Sequence, residues 1–525
     1  MFLQGKLYSR IAIVAAASVL PMLAHAQDEA GGRVVLVLPF DNRSGQQNLG
    51  WIGESFANTL NARLSSAGFL VISRDDRIYA LDHLGLPEGF RPSRATTIRI
   101  AQTLDAQFVV VGSYNVKDGN VTAEAQVLAV NKLSMTQPLQ QGAALQRLLD
   151  VENNLAWLVA RTMDPKFSVS QTTFEAASAN LKLDAYESYI RGLTSPTPEE
   201  RLSRLMTAVQ LAPDNAEALL ALGKLQYTNG DYASAAATLA KVPANDPLAL
   251  EAGFYRGVAS FNNGRYNDAE AAFATVATKL PLPEVVNNQG VSIARQRKDG
   301  AALLERASQL DPQDADYHFN VAVTLRRKGQ NTRAKTEIDQ AVKLRTNDGA
   351  AKQLQGILNG TLQPPPGYDP QERIRRTYSE AAFRQAAFQL DQMRAARLAT
   401  LPADQQATAF TQAGQDYLNR GLALEAEREF QSALTAQPNS PEAHLGLALV
   451  RERSGNPDDA RKEAHASITA KPGAAAYLVL ARLDISSNNN TAAATDVESA
   501  LQLEPKNQAA LNLKSLLISR GATVR

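Results

Sequence analysis

The sequence predicts an α+β multidomain protein, in which a small N-terminal α/β domain with a mixed sheet is followed by an all-α superhelical solenoid. Residues 216–247 and 250–281 repeat each other at an offset of about 34 residues, a period typical of stacked helix pairs. Before about residue 165, short apolar runs of strand length alternate with segments of helical spacing. At 525 residues the chain is also too long for one hydrophobic core.

Composition bounds the function classes. With 54 basic and 53 acidic residues there is no strong field to attract nucleic acid or an anionic membrane. Residues 1–26 read as a secretory signal peptide, with Lys6 and Arg10 before the apolar run Ile11–Leu23 and a small-x-small site at Ala24-His25-Ala26. The run is short for a membrane span, which needs about 20 residues, and it contains Pro21. Cleavage would remove two positive charges and turn the net charge of +1 slightly negative. With 0 Cys there is neither a disulfide nor a lipid-modified cysteine, so packing alone must hold the fold. The expected location is the periplasm or an association with the outer membrane, with no integral span after cleavage.

In chain order, Val34–Leu38 is a continuous apolar run bounded by Gly32 and Pro39, as for a buried strand. Asp41–Gly45 reads as a loop, Ile52–Ala67 as a helix, Phe69–Ile72 as a strand, and Ser73-Arg74-Asp75 as the cap of another short helix. A helix over Ile98–Leu104 and a strand over Gln107–Val116 follow; Asp118-Gly119 then turns the chain into the alternating strand Val121–Val130. A helix from about Ala144 to Met163 ends the domain, assigned to residues 30–165. The succession Val37–Gly45, Trp51–Glu54, Val71–Arg74 and Val109–Tyr114 resembles the small α/β domain at the N-terminus of TolB and of the FlgO and CsgG groups of envelope proteins. That resemblance implies an accessory domain of the cell envelope; no TolB β-propeller follows.

Residues 166–181 are polar and read as a linker. In the clearest repeats Gly223 recurs as Gly257, Gly230 as Gly264, Ala235 as Ala269 and Pro247 as Pro281; Gly414, Gly421, Ala426 and Pro438 restate the pattern later. A glycine inside an amphipathic helix costs about 1 kcal/mol relative to alanine, so Gly223 and Gly257 imply close approach of a second helix, on which Ala235 and Ala269 are the small partners. Gly230 and Gly264 suit a left-handed helix end, and Asn488 fills that slot in the last unit. The pattern resembles the tetratricopeptide repeat, a protein-interaction scaffold rather than an enzyme. Residues 182–359 are assigned about five such units and residues 401–525 about three plus a capping helix. Between them, residues 360–400 read as a Pro-rich connection (Pro364-Pro365-Pro366-Gly367) and one long helix from Gln371 to about Thr400, so that two arcs separable by proteolysis are expected, with one continuous, protease-resistant superhelix as the alternative.

No constellation points to chemistry. His83, His318, His444 and His465 fall in different units, with no pair at metal-ligand spacing, and there is no phosphate-cradling loop, dinucleotide fingerprint or nucleophile elbow. No catalytic residue, cofactor or metal is expected, with a small-molecule site near Asp41–Gly45 as the enzyme alternative. Counting from the repeat's small residue, the resemblance places Lys224, Tyr227, Thr228, Phe254, Phe261, Asn262, Asn287, Arg295, Phe319, Arg326 and Arg327 on the concave groove. The family's carboxylate clamp has Asn and Lys where this chain has Lys224 and Leu220, so that clamp is absent. An apolar, aromatic groove edged by Arg would suit an extended peptide with an acidic group; alternatively some of these aromatics pack between repeats, and Arg326-Arg327-Lys328 complement a helix dipole. The expected function is an exported non-enzymatic scaffold or adaptor of the bacterial envelope that binds protein or peptide partners, with a self-associating assembly or secretion component as the alternative.

Overall fold

The computed structural model describes residues 34–87, 92–177, 181–377 and 393–524. The expected signal peptide and half of the expected long helix, residues 378–392, lie outside these residues.

Strands β1 (Val34–Val37), β2 (Asp41–Asn42), β3 (Leu70–Val71), β4 (Phe108–Lys117), β5 (Asn120–Ala129), β6 (Ser134–Met135) and β7 (Leu139–Ala144) form one mixed sheet. Its order is β3-β1-β4-β5-β6, with β2 on β4 and β7 on β5. β1 runs parallel to β3 and β4, and β4 and β5 form an antiparallel hairpin. Helices α1 (Trp51–Ser66) and α4 (Leu148–Met163) cover one face, packing Phe56, Leu60 and Leu155 against Val35, Val37 and Val110. Helices α2 (Arg74–His83) and α3 (Arg94–Thr103) cover the other, where Leu81 and Ile100 meet Leu36 and Val109. β1 is apolar throughout because it is covered on both faces. Two segments depart from expectation: Asp41 and Asn42 pair with Ser113 and Tyr114 instead of looping, and β7 forms from a Gln/Gly/Ala stretch with little strand propensity of its own, held by pairing along β5.

The expected linker contains helix α5 (Gln171–Ala176), with Phe174 fully buried. The first arc then runs through helix pairs α6 (Leu183–Thr194) and α7 (Pro198–Leu211), α8 (Ala216–Thr228) and α9 (Tyr232–Leu239), and α10 (Ala249–Asn262) and α11 (Tyr266–Lys279). It continues with α12 (Pro283–Arg295) and α13 (Ala301–Leu310), α14 (Ala315–Arg327) and α15 (Asn331–Leu344), and an unpaired α16 (Gly349–Leu358) that covers Phe319 and Ile338 with Ala351 and Leu354. The second arc comprises α17 (Ala403–Asn419) and α18 (Ala423–Ala436), α19 (Pro441–Arg453) and α20 (Pro457–Ala470), α21 (Ala474–Ser486) and α22 (Asn490–Leu503), and α23 (Gln508–Ser519).

The repeat pattern has the expected physical cause. A Cβ on Gly223 would sit 2.5 Å from Leu239, one on Gly257 2.7 Å from Phe273, and one on Gly414 2.7 Å from Phe430, each on the second helix of the same pair. Ala235, Ala269 and Ala426 are fully buried at those crossings. Gly230, Gly264 and Gly421 have φ near +80°, and Asn488 has φ +60°. Pro247, Pro281 and Pro438 lie outside the helices, between one pair and the next. His318 and His444 are repeat stitches: each places one ring nitrogen 2.7 Å from a glutamate of the following helix (Glu337, Glu463) and the other near the carbonyl of Pro312 or Pro438.

The α/β domain and the first repeats share one core, in which Val159, Phe174, Tyr189, Leu205 and Leu222 belong to a single buried cluster. A polar clasp reinforces it. The fully buried Glu152 accepts from Ser55 and, at 2.5 Å, from Thr59; the Tyr186 hydroxyl lies 2.8 Å from Thr59. The second arc returns to the same place. Glu427 of α18 accepts from the backbone and hydroxyl of Ser170 and, at 2.5 Å, from Thr173; Arg428 reaches the carbonyl of Ser66, and Arg420 the carbonyl of Asn245 in the first arc. The second arc is thus docked on the rest of the molecule, where proteolytic separation of the two arcs was expected.

Candidate functional site

After α16 the chain turns at Gly360 and Gly367, and residues 368–377 are not helical. This corrects the first part of the expected long helix: Ile374 belongs to an extended strap, while residues 393–399 are helical. The strap crosses helices α12 and α14, the first helices of adjacent repeats.

Its backbone is read by asparagines. Asn320 accepts from the amide of Arg373 at 2.6 Å and donates to the carbonyl of the same residue at 2.8 Å. Asn288 does the same at Arg375, at 2.7 and 2.8 Å, and Asn287 adds a donor to the Arg373 carbonyl at 3.1 Å. A carboxamide offers both donor and acceptor, so each asparagine satisfies one residue as a neighbouring β-strand would. The residues read are two apart, the repeat of an extended chain.

Strap side chains enter a groove of split charge. At one end, Arg327 binds Asp369 (3.0 Å), the carbonyl of Pro370 (2.6 Å) and the buried carboxylate of Glu372 (2.5 Å), which also accepts from Thr324. Arg295 binds the side chain of Gln371 and, at 2.9 Å, the carbonyl of Glu372, while the Arg326 guanidinium lies 5.3 Å from the Tyr368 ring. At the other end, Arg373 lies 3.7 Å over the Phe319 ring and pairs with Asp316 (2.7 Å) and Asp348 (2.9 Å). Arg375 pairs with Asp314 and Asp316 and lies 5.2 Å from the Tyr317 ring. Hydrogen bonding from Arg373, with further donation from Ala351, holds the Asp348 carboxyl down to about 2 against the cost of burial. Between the two ends, Ile374 packs against the cluster of Val291 and Leu325, as does Phe261.

Of the residues the resemblance placed on the groove, Asn287, Arg295, Phe319, Arg326 and Arg327 contact the strap. Phe261 joins them through its packing and through Arg295, 5.7 Å from its ring. Tyr227 and Asn262 continue the same surface, joined by a 3.4 Å hydrogen bond; burial raises the Tyr227 hydroxyl, partly offset by Arg376. Phe254 is not on the groove: it is buried against Phe273 inside its helix pair. Lys224 pairs with Glu251 at 3.1 Å and faces Asp75 of the α/β domain at 3.8 Å. Thr228 bonds only to the carbonyl of Lys224 among the contacts described. The asparagines Asn288 and Asn320 and the acidic trio Asp314, Asp316 and Asp348 were missed; the available signal was asparagine, a poor helix former, inside helices otherwise rich in Val and Ala.

Residues 411–475 and 202–253 match models described as tetratricopeptide repeat. The chain carries tetratricopeptide repeats. No curated protein matches it. Among solved structures it is similar to the MamA RS-1 ArsTM double mutant, at 23% identity over 30% of this chain and 92% of that one, with a TM-score of 0.28. It is also similar to the LpoB C-terminal domain from Escherichia coli, at 24% identity over 22% of this chain and 83% of that one, with a TM-score of 0.19. A third is YrrB, described as a TPR protein with an unusual peptide-binding site, at 15% identity over 46% and 95% of the chains and a TM-score of 0.25. Tetratricopeptide repeats generally mediate protein–protein interactions, and no enzymatic family is indicated. No helix among the described residues is long and apolar enough to cross a membrane.

Proposed function

We propose that this protein is an exported, non-catalytic scaffold of the bacterial cell envelope that binds extended segments of protein partners in the groove of its first arc. The observation that supports this best is the asparagine pair, Asn288 and Asn320, because side chains that satisfy the amide and carbonyl of alternate residues recognise extended backbone whatever the sequence. Export rests on the signal-like residues 1–26. The α/β domain supplies the base on which the repeats are mounted.

Site-specific photo-crosslinking from Tyr227 or Phe261 in intact cells tests the reading. The expected result is a discrete crosslinked partner in the envelope fraction that is lost when Asn288→Ala and Asn320→Ala are combined. Crosslinks only within the chain itself, or a partner whose yield ignores both substitutions, would overturn it.

A further inference from the structure

The groove is already filled by residues 369–376, whose sequence is Asp-Pro-Gln-Glu-Arg-Ile-Arg-Arg. They are held by main-chain bonds at Arg373 and Arg375 and by a distinct environment for each of Glu372, Arg373 and Arg375. An acidic residue at one end and two arginines spaced two apart at the other match Arg327 on one side, beside which Arg295 holds the Glu372 carbonyl, and Asp314, Asp316 and Asp348 on the other. The fit is incomplete. Glu372 is 2% exposed, and among the described residues its second carboxylate oxygen and the Nε of Arg295 have no hydrogen-bond partner.

Resting on the reading that this groove binds partner peptides, we infer that its ligand is an extended peptide carrying the pattern Glu-Arg-x-Arg, and that residues 369–376 are a tethered copy of that ligand which the partner must displace. The aspartates select for the arginines: three carboxylates, Asp314, Asp316 and Asp348, face the strap against one groove cation among the described residues, Arg345, so acidic residues in the peptide would meet like charge there and neutral ones would leave the excess carboxylates uncompensated. The tether sets the threshold. A covalently attached segment competes at an effective concentration of order millimolar, so a free peptide of intrinsic Kd of order 10 μM would be weakened about 100-fold in the intact chain.

The test uses the full chain and a fluorescein-labelled peptide of the sequence of residues 369–376, with binding read by fluorescence anisotropy. Arg373→Glu combined with Arg375→Glu places like charges beside Asp314, Asp316 and Asp348 and should expel the strap. A second variant, with residues 371–376 replaced by Gly and Ser, opens the groove without added charge. Both opened forms should bind the peptide at least about tenfold more tightly than the natural chain. The gain should disappear on adding Asn288→Ala with Asn320→Ala, and a peptide with Glu in place of both central arginines should not bind. Equal affinity for the natural and opened chains, no binding by opened chains with a native circular dichroism spectrum, or equal binding of the charge-swapped peptide would each overturn the inference. This outcome is separable from the crosslinking result: a partner trapped in cells with no peptide binding here removes the Glu-Arg-x-Arg ligand alone, whereas peptide binding without any trapped partner removes the scaffold reading.

Discussion

Glu152 is sealed between α1 and α4 beside the first repeat, fully buried. Burial pushes its carboxyl up to about 7, against hydrogen bonds from Ser55 and Thr59 and the nearby Arg63 guanidinium, which favour the ionised form. The folded state therefore holds this proton more tightly than the unfolded chain. Below the unfolded value of about 4.5 both states are protonated and the group costs nothing; stability then falls as pH rises, and above about 7 the full penalty of roughly 3 kcal/mol applies. Glu152→Gln should leave stability unchanged near pH 4.5 and raise it by up to about 3 kcal/mol near pH 8, as read from urea unfolding at the two values. An equal effect at both would mean that Glu152 is ionised in the folded protein. Such a site is hard to read from sequence: within α4, Glu152 has the look of an ordinary solvated glutamate, and only the meeting of α1, α4 and α6 buries it. Arg295 and Arg327 were more legible, since their place in the repeat fixes the face they occupy. Their partners were not, because Gln371 and Glu372 lie 76 and 45 residues away along the chain.

At the scale of elements, what repeats was legible and what depends on a neighbour was not. The helix pairs announce themselves through Gly, Ala and Pro at fixed offsets, which arise from contacts inside each pair. β7 has no such local signature, since its strand conformation comes from pairing with β5. The strap was misread as helix because Ile374 and Tyr378 have helical spacing and the residues between are good helix formers; Asn288, Asn320 and Asn287 satisfy its backbone instead, a competition invisible in the local sequence. The shortened fourth unit shows how tightly a pair can close. A Cβ on Gly300 would stand 2.4 Å from the carbonyl oxygen of Gly290, whereas one on Gly257 would meet the Phe273 ring at 2.7 Å. A ring can tilt, but a helix carbonyl moves only with its helix. Gly300→Ala should therefore cost about 3 kcal/mol and Gly257→Ala about 1–2 kcal/mol, measured by denaturant titration of the full chain. The reverse order would mean that the turn from α12 to α13 relaxes more readily than the α10–α11 core.

At the scale of the whole molecule, besides the bonds of Arg428 to Ser66 and Arg420 to Asn245, the first arc, the second arc and the α/β domain hold one another through two larger contacts distant in sequence. One is the strap in its groove. The other is α18 on α5, where Glu427 is fully buried and bonded to Ser170 and Thr173, with Arg451 at 3.5 Å. A protease site placed at Pro364–Pro366 therefore cuts the chain without freeing its halves, because the fragment that begins there still carries both contacts. The nicked protein should elute as one species in native buffer. Expelling the strap with Arg373→Glu and Arg375→Glu should leave it whole, held by α18 together with the Arg420–Asn245 bonds. Adding Glu427→Ala leaves Arg451 and the start of α5 without their buried carboxylate, a loss of about 3–5 kcal/mol, and the two fragments should then separate on a sizing column. If the nicked natural chain already falls apart, the second arc is not docked in solution. If the triple variant stays together, the apolar packing of Leu424 into the core of the first repeats carries the junction without the charge.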